Sequence, residues 1–260
     1  MTDSATSAKM ASARFGLGLI TDGMRVGLGS GSTAEVFIRQ LGRAVRGGLK
    51  IRATATSDRS ARVAIDAGIR VEPLDEIGRL DLAVDGADEF DPSLNLIKGG
   101  GGALLQEKIV AAASRDLVIL ADESKRVTCL GAYPLPVEIV RFGKLATLRS
   151  IAILLKDLGY RDPTCIFRGS EGVEFVTDEG HAILDLHLGR IEGAATLSQE
   201  LVRIPGVVET GLFLGMANRC VVGQDDGSVT VIRSPEAGRA QADDRKAGES
   251  SKGRQCTDEF

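Results

Sequence analysis

The chain has no tryptophan, and aromatic side chains make up only 4% of its 260 residues, so stacking platforms for single-stranded nucleic acid have little to build on. It also lacks a basic block. With 32 Lys+Arg against 36 Asp+Glu and a net charge of -4, a nucleic-acid groove is not expected, and an anionic ligand would need a local basic pocket. Histidine is scarce: His181 and His187, six apart, match no zinc-ligand spacing, and no metal is expected. The four cysteines, Cys129, Cys165, Cys220 and Cys256, include no CxxC pair. At this length and density they predict reduced thiols in a cytoplasm rather than a disulfide framework. No run approaches the ~18 apolar residues of a membrane span, and residues 1–12 lack the apolar stretch of a signal peptide, so no membrane and no export are expected. The 43% of hydrophobic residues and only seven prolines exclude collagen and whole-chain disorder.

What is present alternates. Apolar positions at helical spacing over 9–20 precede a strand at Arg25–Leu28, a glycine-rich turn, and a helix carrying Val36, Phe37, Ile38 and Leu41. Strand 51–56, helix 59–67, strand 80–84, a helix from Leu104 and strand 117–121 repeat the order. Several strands end in polar residues, which predicts an α/β fold, an open Rossmann-like and mostly parallel sheet with its site at the C-terminal edge. Near Pro134-Leu135-Pro136, a stiff turn, the pattern changes to strand 137–140, helix 146–158, strands 172–176 and 182–186, and helix 194–202. The expectation is a Rossmann-like catalytic domain from residues 1–132 and 206–235, a small inserted α+β (ferredoxin-like) domain at 133–205, and a disordered tail at 236–260 without Val, Ile, Leu or Met.

Four constellations can carry chemistry. In Gly29-Ser30-Gly31-Ser32-Thr33, glycines admit an anion to backbone N–H groups at a helix start, where a phosphate would sit; a tight turn capping a helix is the bland alternative. Gly29-x-Gly31-x-x-Ala34 also satisfies the loose dinucleotide fingerprint, but Asp58 lies late for a ribose-binding acid. Asp85-Gly86-Ala87-Asp88-Glu89 crowds three carboxylates at a strand end, suited to sugar hydroxyls, proton transfer or a metal, or else a solvated acidic turn. In Lys98-Gly99-Gly100-Gly101-Gly102, followed by Glu107, a backbone nest stands between a cation and a carboxylate, the equipment for enolising a carbonyl, although a flexible loop before a helix would read the same way. Finally, Lys125 in Asp122-Glu123-Ser124-Lys125 follows another strand toward the same edge.

Taken in order, these strings, with Pro134-Leu135-Pro136-Val137-Glu138 and Ile204-Pro205-Gly206-Val207-Val208-Glu209-x-Gly211-Leu212-Phe213, resemble the A-type ribose-5-phosphate isomerases over roughly residues 9–232. The resemblance implies interconversion of D-ribose 5-phosphate and D-ribulose 5-phosphate through a cis-enediolate, without metal or organic cofactor, in a homodimer or a dimer of dimers. It implies substrate binding by Ser30, Gly31, Ser32, Thr33, Asp85, Gly86, Ala87, Asp88, Lys98, Gly99, Gly100, Gly101 and Lys125. It also implies catalysis by Glu107 as the proton carrier, with Asp85, Asp88 and Lys98. Three positions depart from the family pattern: Ser30 for Thr, Gly102 for Ala, and His181 for Asn, the last inside the small unit and bearing on its packing.

Overall fold

The computed structural model describes residues 2–170 and 172–234. The segment 236–260, expected to be disordered, lies outside the described residues. At the centre is a six-stranded sheet in the order Val229–Arg233, Arg219–Gly223, Ser114–Asp122, Leu80–Asp85, Arg25–Leu28, Arg52–Ala55. Neighbours run parallel except Arg219–Gly223 with Val229–Arg233. The central strand Ser114–Asp122 explains the two-sided arrangement. Its Val118 and Leu120 join Phe37, Ile38 and Leu41 on one face, while Leu117, Ile119 and Ala121 join Phe90, Leu96 and Val110 on the other. A strand with five consecutive apolar residues, Leu117 to Ala121, has to be covered on both faces, and helices provide the cover. Helix Ser32–Arg46 brings Phe37, Ile38 and Leu41 to complete burial, each contributing about 1.5–3 kcal/mol relative to exposure. The first helix, Thr2–Leu17, begins well before residue 9, because the polar residues ahead of Lys9 carry no apolar period to read.

The second sheet is antiparallel, in the order Val207–Thr210, Leu135–Ile139, Ala182–His187, Thr164–Phe167. With helices Lys144–Asp157 and Ala194–Val202 it makes a strand-helix-strand-strand-helix-strand unit of ferredoxin-like type. Val207–Thr210, which a boundary at 206 would assign to the first sheet, pairs instead with Leu135–Ile139; a unit ending at 205 would be one strand short. Pro136 lies inside a strand rather than in a turn before it. Of residues 172–176 only Val173–Glu174 is strand, paired in a small ribbon with Gly169–Ser170. Thr164–Phe167 had no readable signal, being four residues long and nowhere fully buried.

Leu135, Val137, Ile139, Leu184 and Leu186 pack against Ile151, Leu155, Leu197 and Leu201. Strand alternation therefore gives the other face to Pro136, Glu138, Ile183 and Asp185, on the side of helix Leu104–Ala112. That helix is tied to the second sheet by Lys108, whose Nζ donates to Glu209 Oε1 at 2.8 Å and to the Thr210 carbonyl at 2.6 Å. The turn 177–181 makes further links: Asp178 accepts from the Asp58 N–H at 2.9 Å, and Gln106 bonds Glu179. His181 Nδ1 lies 2.9 Å from the buried Glu138 Oε1, which also accepts from the Thr177 hydroxyl, so the histidine is absorbed into this turn's packing. Among the described residues, no helix is long and apolar enough to cross a membrane.

Candidate active site

Three parallel strands end at one edge. Arg25–Leu28 leads into residues 29–33, Leu80–Asp85 into 86–89, and Ser114–Asp122 into the short turn of helix Glu123–Lys125. Together with loop 98–101 and Glu107 they enclose a cavity of about 120 Å³ whose wall holds Ser30, Gly31, Ser32, Thr33, Gly86, Ala87, Asp88, Lys98, Gly99, Gly100, Gly101, Glu107 and Lys125. Asp85 stands behind that wall, bonded to three of its members, Ser30, Gly86 and Lys98. A larger groove of about 490 Å³ opens beside Ile65 and Ile109, but its charged lining is Asp58 and Glu72, the wrong sign for an anionic ligand.

At the glycine-rich turn, Gly31 (φ 97°) precedes helix Ser32–Arg46 and has no side chain to cap it. The first N–H groups of the helix therefore face the cavity edge unclaimed by a cap, where the helix dipole favours an anion. Lys9 lines the same cavity, and its Nζ donates to Ser32 Oγ at 2.9 Å. The sequence reading missed this lysine, since a lone cation on the first helix, 23 residues before Ser32, carries no local signal. Ser30 is used differently. Its N–H donates to Asp85 Oδ1 at 3.0 Å, and its hydroxyl meets those of Thr56 (2.8 Å), Ser57 (2.7 Å) and Ser60 (3.0 Å). Ser60 in turn donates to the Gly29 carbonyl at 2.8 Å, so a hydroxyl cluster from the neighbouring strand end fixes the turn from behind.

Lys98 is the hub. Only 2% exposed, its ammonium reaches Asp85 Oδ2 at 3.0 Å, Glu107 Oε1 at 3.2 Å and the Gly86 carbonyl at 2.7 Å, which accounts for all three donors. Asp85 Oδ1 accepts from the N–H groups of Ser30 and Gly86. Asp88 Oδ2 accepts from the Gly100 N–H at 2.7 Å. Glu89 turns away, buried, and receives the Gly131 and Tyr133 N–H groups at 2.7 and 2.5 Å. The three carboxylates pictured as one crowded group thus have three separate sets of partners, and Glu89 anchors a loop.

Glu107 Oε2 is buried without a protein partner. Burial pushes the Glu107 carboxyl up to about 8, with Lys98 opposing and the Asp85 charge reinforcing the rise. Asp85 is also raised by burial, against the pull of Lys98 and the N–H groups of Gly86 and Ser30. For Lys98 burial favours the neutral amine, but Asp85 and Glu107 outweigh it and hold the ammonium above its ordinary range. The arrangement keeps a fixed positive charge beside a carboxyl group poised to exchange a proton near neutrality.

Local backbone chemistry holds the hub in place. In strand Leu135–Ile139, Pro136 accepts from the Gly211 N–H at 2.7 Å but has no N–H to return. The Gly211 carbonyl takes the Lys98 N–H instead, at 2.9 Å. A Cβ on Gly211 would stand 2.3 Å from the Lys98 carbonyl, so glycine is required for this close approach. Gly102 has φ +86°, a conformation that strains other residues, and the Phe175 ring occupies the place of a Cβ, with its Cζ 2.2 Å away. An alanine there, as the family pattern has it, would need Phe175 to move.

Among the described residues no group of three or more His, Cys, Asp or Glu is placed to hold a metal ion. The family model described as Ribose 5-phosphate isomerase A (phosphoriboisomerase A) matches residues 52–227. A ribose-5-phosphate isomerase A from Rhodopseudomonas palustris (strain HaA2) is 53% identical over 215 residues, 83% of this chain and 93% of that protein. Among solved structures, the ribose 5-phosphate isomerase A of Methanocaldococcus jannaschii is 36% identical with a TM-score of 0.79, covering 86% of this chain and 97% of its own. A D-ribose-5-phosphate isomerase in complex with phospho-erythronic acid is 34% identical with a TM-score of 0.78, covering 86% and 97%. The chain belongs to the ribose 5-phosphate isomerase A family and is an aldose-ketose isomerase acting on ribose 5-phosphate.

Proposed function

We propose the following division of labour among these residues. The substrate phosphate binds at Gly31, Ser32 and Thr33 on the helix N-terminus, with Lys9 and Lys125 as counter-charges; Ser30 holds the turn rather than the ligand. Asp88, with one carboxylate oxygen taken by the Gly100 N–H, uses the other to move the hydroxyl proton that opens the furanose ring. Asp85, fully engaged by Lys98 and two N–H groups, keeps the ammonium charged and in place. The glycine nest of Gly99, Gly100 and Gly101, with Gly86 and Ala87 opposite, surrounds the open chain.

Glu107 then removes the proton from C2 of the aldehyde form, and the electron pair moves through the new C1–C2 double bond onto the carbonyl oxygen. Lys98 stabilises the resulting cis-enediolate, where fixed donors matter most. A proton passes from the C2 hydroxyl to O1, Glu107 returns its proton to C1, and the ketose is complete. One base serves both carbons because they are adjacent. The observation that carries this reading is Glu107 itself, a carboxylate in the cavity wall with Oε1 paired to Lys98 and Oε2 buried and unpartnered. The complex of a relative with phospho-erythronic acid supports it, since a four-carbon acid with a phosphate carries its carboxylate where the enediolate carries charge. No metal or organic cofactor enters the scheme.

Glu107→Gln keeps size and helix propensity. It is expected to lower turnover by about 10²–10⁴-fold, the contribution of a general base, while ribose 5-phosphate still raises the melting temperature. In deuterated water the wild-type enzyme places deuterium at C1 of ribulose 5-phosphate and the variant does not. Near-normal turnover with deuterium uptake would move the base to another carboxylate. The same reading carries a catalytic domain built on the parallel sheet, a smaller domain extended to include Val207–Thr210, and a homodimer or dimer of dimers in the cytoplasm. Light scattering reads the assembly.

A further inference from the structure

Arg168 lies outside the cavity wall, between Thr164–Phe167 and Gly169–Ser170 of the small unit. Its guanidinium forms a two-pronged pair with Asp185, Nε to Oδ2 at 2.9 Å and Nη2 to Oδ1 at 2.5 Å, and both side chains are 17% exposed. The remaining amino group, Nη1, donates to the carbonyls of Gly99 at 2.7 Å and Gly100 at 3.1 Å. Phe175 covers the guanidinium, with its ring centroid 5.9 Å away, and the same ring fills the space left by Gly102. A cation already neutralised by Asp185 has thus been fixed under a loop of four glycines.

The consequence follows from peptide geometry. In a trans peptide the N–H points opposite to the C=O of the same unit. Arg168 draws the Gly99 carbonyl toward the small sheet, which turns the Gly100 N–H the other way, onto Asp88 Oδ2 at 2.7 Å. Peptides between glycines have few steric barriers to other orientations, so the loop sequence alone does not choose this one. We propose that Arg168, held by Asp185, is a positioning residue that orients the Gly99-Gly100 peptide and so aims the free oxygen of Asp88 at the sugar ring. The proposal rests on the assignment of ring opening to Asp88 given above.

Ribulose 5-phosphate separates ring chemistry from proton transfer. Its C5 oxygen carries the phosphate, so the ketose has no five-membered ring, and exchange of its C1 hydrogen with solvent needs Glu107 but no ring step. The test compares two rates, turnover of ribose 5-phosphate and C1 exchange of ribulose 5-phosphate, in Arg168→Met/Asp185→Asn, which leaves no unpaired buried charge. Turnover is expected to fall about 10- to 100-fold, the scale of a misplaced catalytic group, with KM little changed and C1 exchange within about twofold of wild type. Arg168→Lys, which retains a charge opposite Asp185 but not the fork, should show the same split if the double variant does not fold. Equal loss of both rates would make Arg168 a general support of the site, and loss of neither would make it a staple between sheets; each overturns the proposal. Asp88→Asn is the control. If it preserves ribose 5-phosphate turnover, the ring-opening assignment fails; if it abolishes turnover while the Arg168 variants do not, only the positioning role fails.

Discussion

At Glu107 a single carboxyl group links pH, stability and rate. Burial raises it to about 8, so below that pH the proposed base is mostly protonated in the free enzyme. The value of kcat/KM is expected to fall about tenfold per pH unit on the acid side of a limb near 8, and a pH-rate profile reads it directly. The same group acts on folding with the opposite sense to a salt-bridged acid. Its folded-state affinity for a proton exceeds that of the unfolded chain, so its contribution to stability is present below the ordinary carboxylate range and lost as pH rises through about 8. Glu107→Gln should therefore gain stability relative to wild type between about pH 5 and pH 9 in urea unfolding. A difference independent of pH would mean that burial does not raise this carboxyl.

At the scale of an element, helix Leu104–Ala112 matters because it carries Glu107 and lies between the two sheets. Lys108 pins it to Glu209 and the Thr210 carbonyl, with its ammonium 4.9 Å from the Phe213 ring centroid. Burial lowers the Lys108 pKa against the pull of Glu209, so desolvation of the ammonium offsets what the ion pair contributes, while removing the lysine would leave Glu209 and the Thr210 carbonyl without this donor. Lys108→Met keeps the aliphatic stem and removes the charged hydrogen bonds. It should cost about 1.5–3 kcal/mol in urea unfolding, and turnover should fall as the helix loses its register. An unchanged midpoint would show that the tie is solvated. Periodicity showed the helix itself, but Lys108 and Glu209 are about a hundred positions apart in the chain, beyond the reach of any local pattern.

Across the whole molecule, Gly211 is where the two sheets share a backbone. It donates to Pro136 in one and accepts from Lys98 beside the other, so the proline's missing N–H is what frees a carbonyl for the lysine. Gly211→Ala would set a methyl group 2.3 Å from the Lys98 carbonyl and 2.8 Å from Pro136 Cδ. Overpacking of that kind costs about 1–3 kcal/mol, and each kcal/mol lowers Tm by about 2–4 °C in a chain of this size. Calorimetry should show one lowered transition rather than two, together with reduced turnover because Lys98 is displaced. Two separated transitions would mean that the sheets unfold independently and that the shared hydrogen bonds do not couple them.

The strand-turn-helix order, the strand at 117–121 and the arrival of residues 29–33, 85–88 and 125 at one edge were legible in the sequence, because each is written in contiguous residues whose period or backbone chemistry is local. Glu107 was legible for the same reason, one helical turn beyond a glycine nest. What tertiary structure alone decided involves partners far apart in the chain. Glu89 leaves the acidic group for the Gly131 and Tyr133 N–H groups, and Val207–Thr210 joins the small sheet rather than the large one. Lys9 reaches Ser32 from the first helix, and Arg168 sets the glycine peptides from another sheet. A hydrogen bond has no sequence period. Residue type limits what a side chain can bond, but only the packed chain determines which donor and acceptor meet.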